Sequence, residues 1–163
     1  MEFTYSIRKA TEKDAKDIFL MLKDLAEYQS LMDQCNLTFE RFYKDGFVED
    51  PAFHCIIAES KTATGGVQTV GYALYYYAYS SFNGRSAFLE DIYVKEPHRK
   101  RGIGSDLMKN VVNIAKDRGC TQCRFSCRGS NTNALNFYNS MGANDFTDSE
   151  DWHSLSLKFD NLL

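Results

Sequence analysis

A basic turn with two glycines stands directly before a helix-forming segment. It reads His98-Arg99-Lys100-Arg101-Gly102-Ile103-Gly104-Ser105. The unpaired backbone N–H groups at a helix N-terminus and the positive end of the helix dipole bind phosphate, and glycines let a ligand approach the backbone closely. The segment therefore predicts a site for a phosphorylated ligand, although a solvated basic loop at a helix start would have the same composition.

Two common phosphate motifs do not fit this turn. A Walker A loop requires Gly-Lys-Ser/Thr four residues after its first glycine. A dinucleotide fingerprint requires a third glycine where Leu107 stands. The expected ligand therefore belongs to neither of these two classes of nucleotide site.

Two adjacent carboxylates, Glu90 and Asp91, lie in the mostly apolar segment 87–94. A carboxylate that such neighbours partly desolvate has a raised pKa and attracts a cationic substrate, so Glu90 could serve as a general base. Glu90 could equally pair with a nearby basic side chain. For Asp91 we expect a structural role.

The cysteines and histidines indicate neither a disulfide framework nor a metal site. The five cysteines are an odd number, which favours reduced thiols. Cys120-Thr121-Gln122-Cys123 has the spacing of redox and zinc sites, but no second such pair follows. The three histidines are scattered, so we expect no metal.

The size and charge of the chain exclude several classes of protein. A length of 163 residues with 44% hydrophobic residues predicts one globular domain over residues 1–163. A net charge of −3 gives no general attraction to nucleic acid or to anionic membranes, so we expect neither as a partner. The sequence has no apolar stretch of membrane-spanning length and no signal-like start, which predicts a cytoplasmic protein.

Hydrophobic periodicity predicts the elements that must position these residues. The first half predicts helices over about 12–28 and 39–46, then strands over 53–59, 69–79 and 87–94. The second half predicts a helix over 103–118, a strand over 122–127, a helix from Asn131 to Gly142 and a last strand over 152–159. This order predicts an α/β (α+β) fold, a mixed sheet flanked by helices.

The basic turn also resembles a known signature. Arg99-Lys100-Arg101-Gly102-Ile103-Gly104 is similar to the Arg/Gln-x-x-Gly-x-Gly/Ala turn of the GCN5-related N-acetyltransferases, which holds the pyrophosphate of coenzyme A. Further segments that resemble this superfamily's spermidine/spermine (diamine) acetyltransferase family are Asp45-Gly46-Phe47, Phe53-His54-Cys55, Gly71-Tyr72-Ala73-Leu74-Tyr75-Tyr76, Leu89-Glu90-Asp91, Asn136-Phe137-Tyr138, Gly142-Ala143 and Trp152. The run Asp117-Arg118-Gly119-Cys120-Thr121-Gln122 is similar to the thialysine Nε-acetyltransferase branch in particular.

The resemblance implies a homodimer of the GCN5-related N-acetyltransferase fold that uses acetyl-CoA. It implies that Glu90 binds the amine and deprotonates it through water, and that Tyr138 protonates the leaving thiolate. By pattern alone, Tyr138 could instead be a core aromatic residue. The expected cofactor-binding residues are Ile92, Tyr93, Val94, Arg99, Lys100, Arg101, Gly102, Ile103, Gly104, Ser105, Asn131, Thr132, Asn133, Ala134 and Tyr138. The expected substrate-binding residues are Tyr28, Gln29, Glu90, Arg124, Phe125, Ser126 and Glu150.

One departure from the family pattern concerns the substrate. Gln29 stands where the polyamine enzymes have a glutamate, so a carboxylate expected to hold a distal ammonium is a neutral amide here. The prediction is an acetyl-CoA-dependent N-acetyltransferase for a small cationic amine, with thialysine or a related amino acid ahead of spermidine. The alternatives are a polyamine acetyltransferase, a protein acetyltransferase and a non-catalytic module that binds coenzyme A or polyamines.

Overall fold

The computed structural model describes residues 3–147, which form two compact units, one ending at Ser126 and the other beginning at Cys127. The first unit contains the strands β1 (Tyr5–Lys9), β2 (His54–Lys61), β3 (Val67–Ser80), β4 (Gly84–Val94) and β5 (Gln122–Phe125) and the helices α1 (Ala15–Tyr28), α2 (Phe39–Gly46) and α3 (Ile103–Asp117). The second unit contains α4 (Thr132–Ser140). That residues 1–163 act as one domain stays a prediction.

The five strands of the first unit form one sheet in the order β1-β2-β3-β4-β5. Neighbouring strands from β1 to β4 are antiparallel, whereas β4 and β5 are parallel. The predicted mixed sheet is therefore confirmed.

Helices cover both faces of this sheet. On one face, α1 and α2 contribute Ile18, Met21 and Phe42 to a core that also contains Tyr72 and Tyr93 from the strands. On the other face lies α3, whose Leu107 approaches the backbone of β3 so closely that a methyl group on Gly71 would lie 3.5 Å from its Cδ1 atom and 2.8 Å from the carbonyl oxygen of Tyr93. Alternate residues of β3 thus pack against different helices, as strand geometry requires.

The strand β1 was not predicted. Its five residues, Tyr5–Lys9, end in two basic side chains and carry too short a pattern to indicate a strand. It forms because it pairs with β2, nearly fifty residues further along the chain. The ion pair between Arg8 and Asp14, 2.7 Å between nitrogen and oxygen, ties the end of β1 to the start of α1.

The predicted elements that fall within the described residues are present with small shifts in their ends. The predicted first helix begins as a short 3-10 turn, Glu12–Asp14, in which Thr11 and Asp14 form a capping box. The predicted strand over 122–127 ends at Phe125, so Cys127 lies beyond it. The predicted strand over 152–159 lies outside the described residues.

Candidate active site

A β-bulge places both adjacent carboxylates on one side of the sheet. Leu74 of β3 pairs with Asp91, but the next residue, Tyr75, pairs with Leu89, so Glu90 is an extra residue on β4. A bulge of this kind changes the strict alternation of side chains along a strand. As a result, Glu90 and Asp91 line the same cavity although they are consecutive.

The cavity has a volume of about 410 Å³ and lies between the sheet and the helices α1 and α2. Its apolar lining residues are Leu22, Leu25, Ala26, Leu31, Cys35, Leu37, Phe42, Phe53 and Leu74. Its polar lining residues are Gln29, Gln34, Asp45, Glu90 and Asp91. Within the described part of the chain, these polar residues offer a ligand three carboxylates and two amides and no lysine or arginine, so the cavity favours a small cation.

Asp91 is the carboxylate that desolvation perturbs. Its pKa is raised from 3.8 to about 6, mainly by burial and also by the negative charge of Glu90, while a hydrogen bond from Tyr72 lowers it in part. Glu90 is exposed. The expectation of a desolvated Glu90 is therefore wrong, because Glu90 is exposed and Asp91 is the more buried of the two. The structural role expected for Asp91 stays a prediction.

A lysine outside the cavity holds part of its wall. Lys23 of α1 donates hydrogen bonds of 3.1 Å to the carbonyl oxygens of both Cys35 and Leu37. Its ammonium also lies 5.2 Å from the ring centroid of Phe19. Lys23 thus fixes two cavity-lining residues, a function that its place in an amphipathic helix does not reveal.

The end of β4 offers an open strand edge for a ligand. The strand extends to Val94, but its pairing with β5 stops at the pair Leu89 and Phe125. Beyond Leu89, the backbone groups of Ile92, Tyr93 and Val94 that point away from β3 have no strand partner among the described residues. Such an edge binds an extended ligand through backbone hydrogen bonds.

The basic turn leads from this edge into α3. Gly102 is the N-cap of α3 and has a left-handed backbone with φ of 85°, which explains the glycine. Lys100 also has positive φ, 59°, and is exposed. Left-handed residues in such a turn orient successive N–H groups into a concavity that binds anions.

The two arginines of the turn make contacts within the protein. Arg99 donates a hydrogen bond of 2.8 Å from Nε to the carbonyl oxygen of Val94. Arg101 lies over the ring of Phe3, at 4.4 Å from its centroid. The sequence predicted a basic turn for a phosphorylated ligand, and it did not indicate these contacts within the protein.

The second unit carries the predicted catalytic tyrosine. The side chain of Asn131 accepts a hydrogen bond of 3.2 Å from the N–H of Ala134 and so caps α4, as the sequence predicted. Tyr138 is buried, with 9% of its surface exposed, and its ring packs against Phe137 at 5.1 Å between centroids. The exposed Thr132 and Asn133 occupy the first turn of α4.

Several predicted substrate-binding residues do not line the cavity. Gln29 and Glu90 do, whereas the described residues Tyr28, Arg124, Phe125 and Ser126 are not part of its wall. Glu150 lies outside the described residues. Conversely, the cavity wall contains three residues that were not predicted as site residues: Gln34, Asp45 and Asp91. The sequence could have indicated Asp45 and Asp91, because both lie in segments that resemble the family.

Residues 3–147 contain no group of three or more His, Cys, Asp or Glu side chains placed to hold a metal ion. None of the helices formed by these residues has the length and apolarity that crossing a membrane requires.

The comparisons with known proteins agree with this geometry. A family model described as the acetyltransferase (GNAT) family matches residues 16–143. Thialysine N-epsilon-acetyltransferase of Sus scrofa is 46% identical over 151 residues, which are 91% of this chain and 89% of that protein. Spermidine/spermine N(1)-acetyltransferase-like protein 1 of Homo sapiens is 34% identical over 161 residues, which are 98% of this chain and 23% of that protein.

A solved structure shows the same fold. An integron cassette protein from the mobile metagenome of V. cholerae matches with a TM-score of 0.76 over 99% of this chain and 98% of its own, at 19% identity. The family model and the relatives together show an acetyltransferase. The chain belongs to the acetyltransferase (GNAT) family, and it is an N-acetyltransferase that uses acetyl-CoA.

The residues present fit acetyl-CoA. The turn with left-handed Gly102 at the head of α3 would offer N–H groups to the pyrophosphate. The open edge at Ile92, Tyr93 and Val94 would offer backbone donors and acceptors to the extended pantetheine arm. Acetyl-CoA, when bound, supplies an activated acetyl group as a thioester.

Proposed function

We propose that the protein acetylates the side-chain amine of a small amino acid of the thialysine type. The observation that carries the proposal is the carboxylate pair Glu90 and Asp91 in a largely apolar cavity of about 410 Å³. Cavities of about 300–1,000 Å³ are typical of small-molecule sites. The name of the relative from Sus scrofa, thialysine N-epsilon-acetyltransferase, supports this substrate class.

The chemistry requires a proton acceptor. A lysine-like ammonium has a pKa near 10.4, so only about one amine in a few thousand is nucleophilic at neutral pH. Asp91, with a pKa of about 6, is ionised at pH 7 and is a stronger base than an ordinary carboxylate. Glu90 and Asp91 together attract the ammonium, and we assign the removal of its proton to this pair, directly or through water.

The polar groups of the cavity favour an amino acid over a polyamine. An amide both donates and accepts hydrogen bonds, so Gln29 and Gln34 can bind an α-carboxylate as well as an α-ammonium. Asp45 supplies a negative charge for the α-ammonium. A polyamine carries only cationic groups and would gain less from the two amides.

Two predicted roles belong to the same proposal. Backbone N–H groups of the segment Ile92–Val94 stabilise negative charge that develops on the acetyl oxygen. Tyr138 holds at its hydroxyl the proton that the leaving thiolate takes up; its match to the family's proposed acid and its burial support this role. Tyr138→Phe is expected to lower kcat at least tenfold and to change the Kd of acetyl-CoA less than twofold.

A polyamine such as spermidine is the second candidate. Three carboxylates in one cavity, Asp45, Glu90 and Asp91, favour a substrate with more than one ammonium group. The likeness to the spermidine/spermine N(1)-acetyltransferase-like protein of Homo sapiens supports it to a lesser degree, at 34% identity.

The release of free coenzyme A tests the proposal. The amines are thialysine, lysine, spermidine and putrescine, together with a histone-like peptide. We expect turnover of thialysine, and a strong loss in Glu90→Gln. If no amine were turned over, the result would contradict the proposal and favour a non-catalytic binding module. A preference for the peptide would indicate a protein acetyltransferase.

The cellular setting is also a proposal. The family resemblance supports a homodimer. The net charge of −3 supports a cytoplasmic protein without nucleic-acid or membrane partners. Light scattering after size-exclusion chromatography tests the dimer, and cell fractionation tests the location.

A further inference from the structure

Arg99 is held between two aromatic rings from different parts of the first unit. The guanidinium carbon lies 5.0 Å from the ring centroid of Tyr28 and 5.5 Å from that of Tyr93. Its Nε donates a hydrogen bond of 2.8 Å to the carbonyl oxygen of Val94. Three contacts in different directions fix this partly buried side chain.

The contacts of Arg99 connect the two substrate sites. Tyr28 is the last residue of α1 and directly precedes Gln29, which lines the amine cavity. Tyr93 and Val94 belong to the open end of β4, which fits acetyl-CoA. Arg99 itself is the first residue of the signature turn, so one side chain joins the turn, the strand edge and the wall of the cavity.

Arg99 and Tyr28 have the chemistry of a stacked pair, here called the clamp. A guanidinium stacks on aromatic faces and can still donate hydrogen bonds in its plane, whereas a lysine ammonium offers no flat face. A cation beside the last residue of α1 is also favoured by the negative end of the helix dipole. Tyr28 is 49% exposed, so its ring contributes little to the core and its main described ring contact is with Arg99.

We propose that Arg99 is a positioning residue that fixes the end of α1, and with it Gln29, relative to the acetyl-CoA edge of β4. The proposal rests on the function proposed above, because it assumes that the cavity binds the amine. It assigns to Arg99 a function beyond pyrophosphate binding, and it gives Tyr28 an indirect role in place of direct contact with the substrate.

The test compares the KM of the amine at saturating acetyl-CoA with the Kd of acetyl-CoA for the free enzyme. Tyr28→Leu removes the ring from the clamp without removing a cationic group from the turn. We expect it to raise the amine KM about three- to fivefold, the size of an exposed cation–π contact, with the Kd of acetyl-CoA changed less than twofold. Tyr28→Phe keeps the ring and should restore most of this loss.

A double-mutant cycle identifies Arg99 as the partner. Arg99→Lys keeps the charge but loses the stacking face and the Nε donor, so it should raise the amine KM by a similar factor. Tyr28→Leu combined with Arg99→Lys should raise the amine KM no more than Arg99→Lys alone, because both remove one contact. Tyr79→Leu, at a tyrosine that is 78% exposed in the β3–β4 hairpin, is the matched control and should leave the amine KM unchanged.

Three results would overturn the proposal. An unchanged amine KM in Tyr28→Leu would show that the contact between Tyr28 and Arg99 does not position the amine site. Multiplicative effects in the double variant show that the two residues act independently. Equal damage from Tyr28→Phe and Tyr28→Leu shows that the hydroxyl itself binds the amine. A wild-type protein that turns over no amine contradicts the proposed function instead, so the two failures are distinguishable.

Discussion

The hydroxyl of Tyr72 donates a hydrogen bond of 3.3 Å to Oδ2 of Asp91. Tyr72 is fully buried, and burial raises the pKa of its hydroxyl well above the ordinary value, so the phenol keeps its proton and acts as the donor. This bond fixes the Asp91 carboxylate at the cavity. Because the bulge at Glu90 brings the second carboxylate to the same cavity, the pair combines one exposed and one partly buried acid.

The raised pKa of Asp91 predicts the acid limb of the pH profile. Below about pH 6, Asp91 is protonated and neither attracts the ammonium nor accepts its proton. We expect kcat/KM to fall below this pH with a slope of about one log unit per pH unit. Asp91→Asn should remove this limb, and Glu90→Gln should move it to lower pH, because the charge of Glu90 contributes to the shift. A limb near pH 6 that persists in Asp91→Asn would assign it to another group.

Asp91 also makes stability depend on pH. Its pKa in the folded protein, about 6, lies above the ordinary 3.8, so the folded state binds more protons between these values. The contribution of Asp91 to the free energy of unfolding is therefore largest below about pH 4, and it is lost as the pH rises through 6. A shift of about two units corresponds to at most about 3 kcal/mol.

Chemical denaturation at pH 4.5 and 7 measures this effect. The wild-type free energy of unfolding should fall more between the two pH values than that of Asp91→Asn. Asp14, whose pKa the ion pair with Arg8 lowers to about 2, changes stability in the opposite direction, but mainly at lower pH. Equal changes in the wild type and in Asp91→Asn would show that Asp91 is not destabilised by burial.

Gly46 allows Phe53 to form part of the cavity wall. A methyl group at Gly46 would overlap the Phe53 ring, so the ring must move. We expect Gly46→Ala to lower the free energy of unfolding by about 1–3 kcal/mol and to raise the KM of the amine. Gly66→Ala, whose methyl group would meet the Thr62 hydroxyl at 3.2 Å in the β2–β3 loop, is the control. An unchanged KM in Gly46→Ala would show that Phe53 does not shape the amine site.

Gly102 and Gly65 form a matched pair for testing the cofactor turn. Both have a left-handed backbone with φ of 85°. Alanine should cost about 1–2 kcal/mol of stability at either position. Calorimetry with acetyl-CoA should show weaker binding for Gly102→Ala, and unchanged binding for Gly65→Ala in the β2–β3 loop. If Gly102→Ala and Gly65→Ala bound acetyl-CoA with equal affinity, Gly102 would be excluded from the pyrophosphate site.

Local features of the site could be predicted from the sequence. The glycine turn before α3 and the Asn131 cap of α4 depend on a few neighbouring residues, and both are present as expected. The mixed sheet followed from the alternation of helical and extended segments. These predictions succeeded because turn chemistry and side-chain periodicity are properties of short segments.

Features that depend on pairing between distant segments could not be predicted. The bulge at Glu90 is defined by the register of β4 on β3, and the residues of β4 alone do not reveal it. For the same reason, the sequence suggested a desolvated Glu90, whereas in the fold Asp91 is the more buried carboxylate. The contacts of Lys23 with Cys35 and Leu37, and those of Arg99 with Tyr28, likewise arise only when the chain folds.

The most direct test of the proposed function is the ratio of kcat/KM for thialysine to kcat/KM for spermidine, measured on the wild-type protein at pH 7.5 with saturating acetyl-CoA. We expect a ratio of at least about ten, because the amides of Gln29 and Gln34 can bind the α-carboxylate that a polyamine lacks. A tenfold ratio corresponds to about 1.4 kcal/mol of preferential binding. A ratio below one would contradict the amino-acid assignment and favour a polyamine enzyme.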